Sequence, residues 1–306
     1  MEGVLLLNKP AGMTSHDCVA KMRRLAKTKK VGHTGTLDPD VTGVLPICLG
    51  RATKIVEYLT ASSKTYEAEV TIGFSTTTED ASGEVIERKS VNPKIAQEEV
   101  EQVLLSMTGT LEQIPPMYSA VKVKGKKLYE YARAGIEVER PSRMITISEL
   151  VLLSSVNNED GLAKFRFRVT CSKGTYVRTL AVMIGERLGY PAHMSHLIRT
   201  KSGEFDIANC LTFEEIEASI ERGELQDSLL TIGEALKDLP KLIIHDTLTE
   251  KVRNGAVLEL PSEFLEFGVG SPIAVYGEDE SCIAIYAKHP TKQHLMKPTK
   301  VLMNES

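Results

Sequence analysis

The sequence predicts an α+β protein that ends in a small β-rich module. Three observations carry this: two long segments of strict polar/apolar alternation, several capped stretches of helical period, and a change of texture near residue 239. A chain of 306 residues fits about two domains. The expected division is 1–238 and 239–306.

Val4-Leu5-Leu6-Leu7 reads as a short buried strand, stopped by Lys9-Pro10 and Gly12. Thr14 or Ser15 then supplies an N-cap for a helix through about Leu25. A glycine-rich bend follows, Gly32-His33-Thr34-Gly35-Thr36-Leu37-Asp38-Pro39, continuing to Gly43. Residues 64–73 alternate, with Tyr66, Ala68, Val70 and Ile72 on one side of a half-buried strand. Asn92-Pro93 is expected to start a helix that Gly109 ends. In 164–171, Phe165, Phe167, Val169 and Cys171 face one way and Lys164, Arg166, Arg168 and Thr170 the other. Ser172-Lys173-Gly174-Thr175 turns into a helix with Val177, Leu180, Ala181, Ile184 and Leu188 at core spacing and Gly189 past its end. Thr212-Phe213-Glu214-Glu215 is a capping box, and a second helical stretch is expected to reach about Lys237. After Leu239-Pro240, short apolar runs separated by turn residues suggest a β module of about 70 residues.

With 42% hydrophobic and 25% charged residues, the composition is that of an ordinary soluble protein. No apolar run approaches the ~20 residues that span a bilayer, and the first residues turn polar too early for a signal peptide. A cytoplasmic protein with no membrane partner is expected. Its five scattered cysteines make no metal-ligand spacing and read as reduced, structural thiols. The net charge of −4 hides segregation: residues 21–30 carry six cations and no acid, and Lys122, Lys124, Lys126 and Lys127 cluster. Acid gathers at Glu98, Glu99 and Glu101 and again from Glu214 to Glu224, so basic and acidic surfaces are expected to lie apart. Each basic cluster suits a nucleic-acid footprint or a solvated face equally.

Common catalytic patterns are absent: there is no phosphate-binding loop, no HExxH and no GxSxG elbow. Carboxylate chemistry remains. Asp38-Pro39 alone reads as a turn, but three glycines around it allow close approach of another molecule. Arg178 lies off its helix's core stripe in the first turn, where the helix dipole disfavours a cation, so it is expected to meet an anion. Such a cation would keep an aspartate ionised. Tyr66, Tyr118, Tyr129 and Tyr176 would suit a substrate whose bases stack on aromatic rings, although a tyrosine on an apolar strand face is more often core. His33 taken alone reads as structural or solvent-facing.

Five ordered segments together resemble the TruB family of tRNA pseudouridine synthases. Asn8-Lys9-Pro10-Ala11-Gly12-Met13-Thr14-Ser15 is similar to that family's KPxGxTS motif. Residues 32–54 resemble GHTGTLDPxATGVLPxxxGxATK, with Val41 where alanine is usual. Lys64-Thr65-Tyr66 resembles KxY, residues 115–122 resemble PPxYSAxK, and residues 172–180 resemble SKGTYIRTL. The resemblance implies a mixed, largely antiparallel sheet flanked by helices, and a PUA-like tail in which Arg253-Asn254-Gly255 forms the glycine turn. It implies isomerisation of a T-loop uridine of tRNA, nucleotide 55 by convention, with no cofactor, no metal and no guide RNA, by a monomer.

Carried over by the motifs, Asp38 becomes the nucleophile, Tyr66 the ring that stacks on the flipped uracil, and Arg178 the partner of Asp38. His33, Tyr176, Leu197, Pro10, Lys9 and Lys64 become substrate-binding. Base flipping is required, because a uridine inside a folded loop cannot present itself to a carboxylate. Attack on C1′, addition to the ring and formation of a glycal all need an ionised Asp38 and stay open. The chain departs from the family pattern at Met183, where aspartate is common, and at Ile198, where arginine is common. An accessory tRNA-folding role is compatible with the motifs, and an RNA-binding protein of the tRNA elbow without dominant catalysis is the competing reading.

Overall fold

The computed structural model of the chain describes residues 1–303. Its strands are β1 Gly3–Lys9, β2 Val31–His33, β3 Thr42–Leu49, β4 Lys64–Ile72, β5 Phe74–Thr76, β6 Val85–Arg88, β7 Gly109–Gln113, β8 Lys122–Val123, β9 Lys126–Lys127 and β10 Arg143–Leu152. They continue with β11 Asn157–Glu159, β12 Leu162–Cys171, β13 Ala192–Ser202, β14 Phe205–Asp206, β15 Lys241–Ile243, β16 Leu258–Glu259, β17 Pro272–Tyr276, β18 Cys282–Lys288 and β19 Leu295–Val301. The helices are α1 Ser15–Leu25, α2 Val56–Ala61, α3 Gln97–Ser106, α4 Leu128–Arg133, α5 Val177–Arg187, α6 Phe213–Glu221, α7 Ile232–Ala235 and α8 Asp246–Arg253. Among the described residues no helix is long and apolar enough to cross a membrane.

The main sheet runs β1-β3-β13-β4-β12-β10-β7, with β2, β14 and β11 added beside β3, β13 and β12. Its pairs are antiparallel except β3 with β13. The mixed, largely antiparallel sheet implied by the motifs is therefore present. Alternation places Ala68, Val70, Ile72, Phe165, Phe167 and Val169 inside, packed with Leu180, Ala181 and Ile184 of α5 and Cys18 and Met22 of α1. Fully burying each large side chain contributes about 1.5–3 kcal/mol. On the other face of β12 two of the three expected cations are paired across the sheet: Arg166 with Glu67 at 2.9 Å and Arg168 with Glu149 at 3.2 Å.

The last strands form a second sheet, β15-β17-β18-β19-β16. It has its own core around Val252, Ile273, Val275 and Tyr286. A further cluster, including Val4, Leu6, Ile55, Tyr276 and Ile285, joins it to the reverse face of β1 and β3. Lys54 Nζ donating to the Val301 carbonyl at 2.8 Å and Lys300 paired with Glu57 at 3.0 Å fasten the same junction.

Several expectations need correction. The helix after Asn92-Pro93 begins only at Gln97, with Ala96 as N-cap, and Gly109 opens a strand instead of closing the helix. The stretch up to Lys237 is a 3-10 turn and the four-residue α7, too short for a second amphipathic helix. The tail contains a helix, α8, that short apolar runs concealed. Acidic and basic surfaces meet at one point, where Lys21 of α1 reaches Glu217 of α6 at 2.9 Å and covers the Phe213 ring. All five cysteines are free; burial pushes Cys48, Cys210 and Cys282 up to about 12 and Cys171 to about 11.

Candidate active site

Asp38 stands at the apex of the loop between β2 and β3. Its carbonyl accepts from Val41 N at 3.1 Å, so the Asp-Pro segment is a turn as well as a site. The loop is held by buried polar groups on three sides. Ser15 Oγ accepts from Leu37 N at 2.9 Å. Lys9, completely buried, donates to the carbonyls of Pro10 and Pro39, both at 2.8 Å. Arg199 of β13, 1% exposed, donates to Val44 O at 2.6 Å and to Gly35 O at 3.2 Å. A loop so fixed delivers one carboxylate in one place, which positioning for chemistry demands.

Arg178 lies in the first turn of α5 and is 5% exposed. Its Nε reaches Asp38 Oδ2 at 3.0 Å, Nη1 donates to Thr78 O at 2.9 Å and Nη2 to Tyr118 O at 2.9 Å. The expected anion is thus Asp38, and two main-chain carbonyls hold the guanidinium fork so that Nε faces it. Asp80 Oδ2 lies 3.9 Å from Nη1. Surrounding walls desolvate Asp38 and push its carboxyl up; Arg178 pulls it back, Asp80 raises it and Lys9 lowers it. The side chain keeps 43% of its exposure, so the carboxylate is desolvated by its surroundings yet reachable.

A cavity of about 540 Å³ opens above this pair, lined by Asp38, Tyr66, Tyr118, Tyr129, Tyr176 and Leu197 among others. A second space of about 460 Å³ shares Asp38, Arg178 and Leu197 and is walled by Thr78, Asp80 and Ser82. Tyr66, from β4, faces the cavity; burial pushes its phenol up while Arg199 opposes, so the ring is neutral. Tyr176 is the N-cap residue of α5, clamped by buried Gln113, which accepts from Tyr176 N at 2.8 Å and donates to its carbonyl at 3.0 Å. Arg143 covers the Tyr176 ring.

Of the substrate-binding candidates, Tyr176 and Leu197 come to the cavity and four do not. Lys9 and Lys64 are buried with their ammonium groups on carbonyls. Lys64 donates to Ser62 O at 2.7 Å, Thr60 O at 3.0 Å and Leu59 O at 3.3 Å, closing the end of α2. Both lysines therefore brace the fold, and neither lines the cavity. Pro10 lines a separate hollow with Lys9, Ile198 and Phe213. His33 stands behind His16, ring centroids 5.5 Å apart, and it is His16 that lines the cavity. Burial pushes the His33 imidazole down, so it is neutral at pH 7. Met183 lies half-buried near Gln113.

Sequence reasoning missed Thr78, Asp80 and Arg199. The polar run Thr76-Thr77-Thr78-Glu79-Asp80 carried a turn signal, since Asp80 Oδ1 accepts from Ser82 N at 3.0 Å and from the Thr78 and Ser82 hydroxyls at 2.6 Å. Among the described residues no three His, Cys, Asp or Glu side chains converge as metal ligands would.

Residues 23–177 match the TruB family pseudouridylate synthase N-terminal domain, and residues 178–238 match the tRNA pseudouridylate synthase B C-terminal domain. The chain belongs to the TruB family. It is 65% identical over 306 residues to the tRNA pseudouridine synthase B of Bacillus subtilis (strain 168), covering 100% of this chain and 99% of that protein. With the Bacillus licheniformis protein of the same name it shares 64% over 304 residues, 99% and 98% of the two chains. A crystal structure of a Cbf5-Nop10-Gar1 complex superposes with a TM-score of 0.76 at 27% identity, covering 99% of this chain and 85% of that one. An H/ACA RNP bound to a substrate RNA containing 2'-deoxyuridine gives 0.73 at 25%, over 98% and 85%. This TruB chain is an isomerase, a pseudouridine synthase acting on tRNA.

Proposed function

We propose that this TruB chain converts uridine 55 in the T loop of tRNA to pseudouridine without guide RNA or cofactor, with Asp38 as the nucleophile. The observation that carries this reading is the Asp38 Oδ2–Arg178 Nε pair at 3.0 Å, open to a tyrosine-walled cavity of about 540 Å³. Such a volume lies within the range of small-ligand pockets, about 300–1,000 Å³, and accommodates a flipped pyrimidine nucleotide. Arg178 keeps Asp38 ionised against desolvation, Tyr66 stacks on the uracil, and Tyr176 and Leu197 wall the base. The five-stranded tail sheet, with 239–306 as a PUA-like unit, grips tRNA beyond the T loop. The enzyme works as a monomer in the cytoplasm, where tRNA is modified, and an accessory tRNA-folding role uses the same RNA contacts.

Asp38→Asn tests the reading. Tritium release from 5-tritiated uridine in a T-loop transcript is expected to fall by at least about 10⁴-fold, as removal of an essential nucleophile does. Filter binding of unmodified tRNA should stay within about threefold, because phosphate contacts carry most of the affinity. Near-normal turnover by the variant defeats the nucleophile assignment. A wild-type protein that binds tRNA but releases no tritium favours the RNA-binding reading.

A further inference from the structure

We propose that Glu79 is a positioning residue for the reaction: by accepting the Thr179 hydroxyl it pins the β5–β6 loop to α5, so that Thr78 O holds Arg178 with Nε on Asp38. The inference rests on the reading of Asp38 and Arg178 as the reacting pair.

Three consecutive loop residues meet two consecutive helix residues. Thr78 O accepts from Arg178 Nη1 at 2.9 Å, Glu79 Oε2 accepts from Thr179 Oγ1 at 2.6 Å, and Asp80 Oδ2 lies 3.9 Å from Arg178 Nη1. The loop belongs to a hairpin whose strands are only three and four residues long, so the hairpin alone is a weak frame. Its main chain is tied to β13 where Met194 N donates to Glu79 O at 3.0 Å. Glu79 itself has φ 63°, a left-handed conformation uncommon for a residue with a side chain and costing about 1 kcal/mol or more. Thr179 is buried, 9% exposed, and its hydroxyl is spent on Glu79. Burial pushes the Glu79 carboxyl up, while the Thr179 hydrogen bond, Arg178 and Arg140 oppose and Glu186 adds to the rise. What the contact requires is an acceptor oxygen at the end of a side chain of this length, which glutamine also supplies.

Single-turnover and steady-state kinetics on a T-stem-loop RNA test the assignment. Glu79→Ala and Thr179→Val should each lower kcat about tenfold or more with KM unchanged, since misplacement of about 1 Å costs as much as a hundredfold. Glu79→Gln should stay within about twofold of wild type, and the Glu79→Ala/Thr179→Val double variant should be no worse than either single change. Should Glu79→Ala fail to fold, Thr179→Val removes the same hydrogen bond from the helix side and decides the matter. Equal losses in Glu79→Gln and Glu79→Ala, additive losses in the double variant, or an effect on KM alone overturn the proposal. Asp38→Asn is assayed alongside. If it is active, the underlying reading fails; if it is dead while Glu79→Ala turns over normally, only the positioning role fails.

Discussion

The two walls of the active-site cavity are built in opposite ways. On one side, buried cations tie the β2–β3 loop to β1 and β13 and the start of β4 to the end of α2: Lys9, Lys64 and Arg199 are 0%, 6% and 1% exposed, each with donors on main-chain carbonyls. On the other, residues 114–142 form a two-residue hairpin, β8 with β9, and the six-residue α4, and their cations Lys122, Lys124 and Lys126 are exposed. Burying an ammonium group costs several kcal/mol unless it is well bonded, so the first wall uses its cations as internal braces. The second keeps its cations in water, where they are available to phosphate. The first wall thus fixes Asp38 by internal bonds, and the second leaves its cations exposed.

Glycines break the comparison most sharply. Gly43 and Gly125 both have positive φ, 107° and 84°. A Cβ on Gly43 would lie 2.1 Å from Arg199 O, at the parallel junction of β3 and β13, whereas a Cβ on Gly125 meets nothing within 4 Å. Gly43→Ala should therefore destabilise by about 3–5 kcal/mol, combining backbone clash with strain. Gly125→Ala should cost only the left-handed penalty, about 1–2 kcal/mol. Urea unfolding of the two variants measures this, and equal losses would mean that both walls are equally rigid.

The exposed cations are the next test. Replacing Lys122, Lys124 and Lys126 together by alanine should weaken tRNA binding about 10- to 100-fold at moderate salt and reduce the slope of log K against log salt by about 2. Single-turnover rates at saturating RNA should be unchanged. If the rate falls and the salt slope does not, the hairpin positions the chemistry instead of the RNA backbone.

Much of the first wall was legible in the sequence. Strict alternation revealed β4 and β12, a cap at Thr14 or Ser15 revealed α1, and an arginine placed against a helix dipole revealed that Arg178 meets an anion. The motifs named Asp38 as that anion, and the structure shows the two in contact. Lys9 and Lys64 were read as substrate-binding, whereas the structure sets their ammonium groups on carbonyls: a cation in a motif looks alike whether it faces RNA or a carbonyl, and only burial separates the two. Thr78 was invisible, and so was the bond that Tyr118 makes to Arg178, because both serve through main-chain carbonyls, which every residue possesses. Arg199 was hidden for a related reason, since its donors also end on carbonyls distant in sequence.

The smallest effect concerns the braces themselves. Burial, with Arg199 nearby, lowers Lys64 from its ordinary 10.5 to about 8, with Cys171 opposing. Below about pH 8 this lysine is charged in both folded and unfolded chains, and the folded state bears the cost of desolvation. Between about 8 and 10.5 the native protein has released the proton and the unfolded chain keeps it, so stability rises with pH through that window. Relative to Lys64→Met, the wild-type unfolding free energy should increase by about 1 kcal/mol from pH 7 to pH 9. The readout is the slope of that difference, which does not depend on what the methionine itself does to packing. A flat or falling difference for Lys64 would mean that its three carbonyls fully offset the loss of water, and that the closed wall is braced without electrostatic strain.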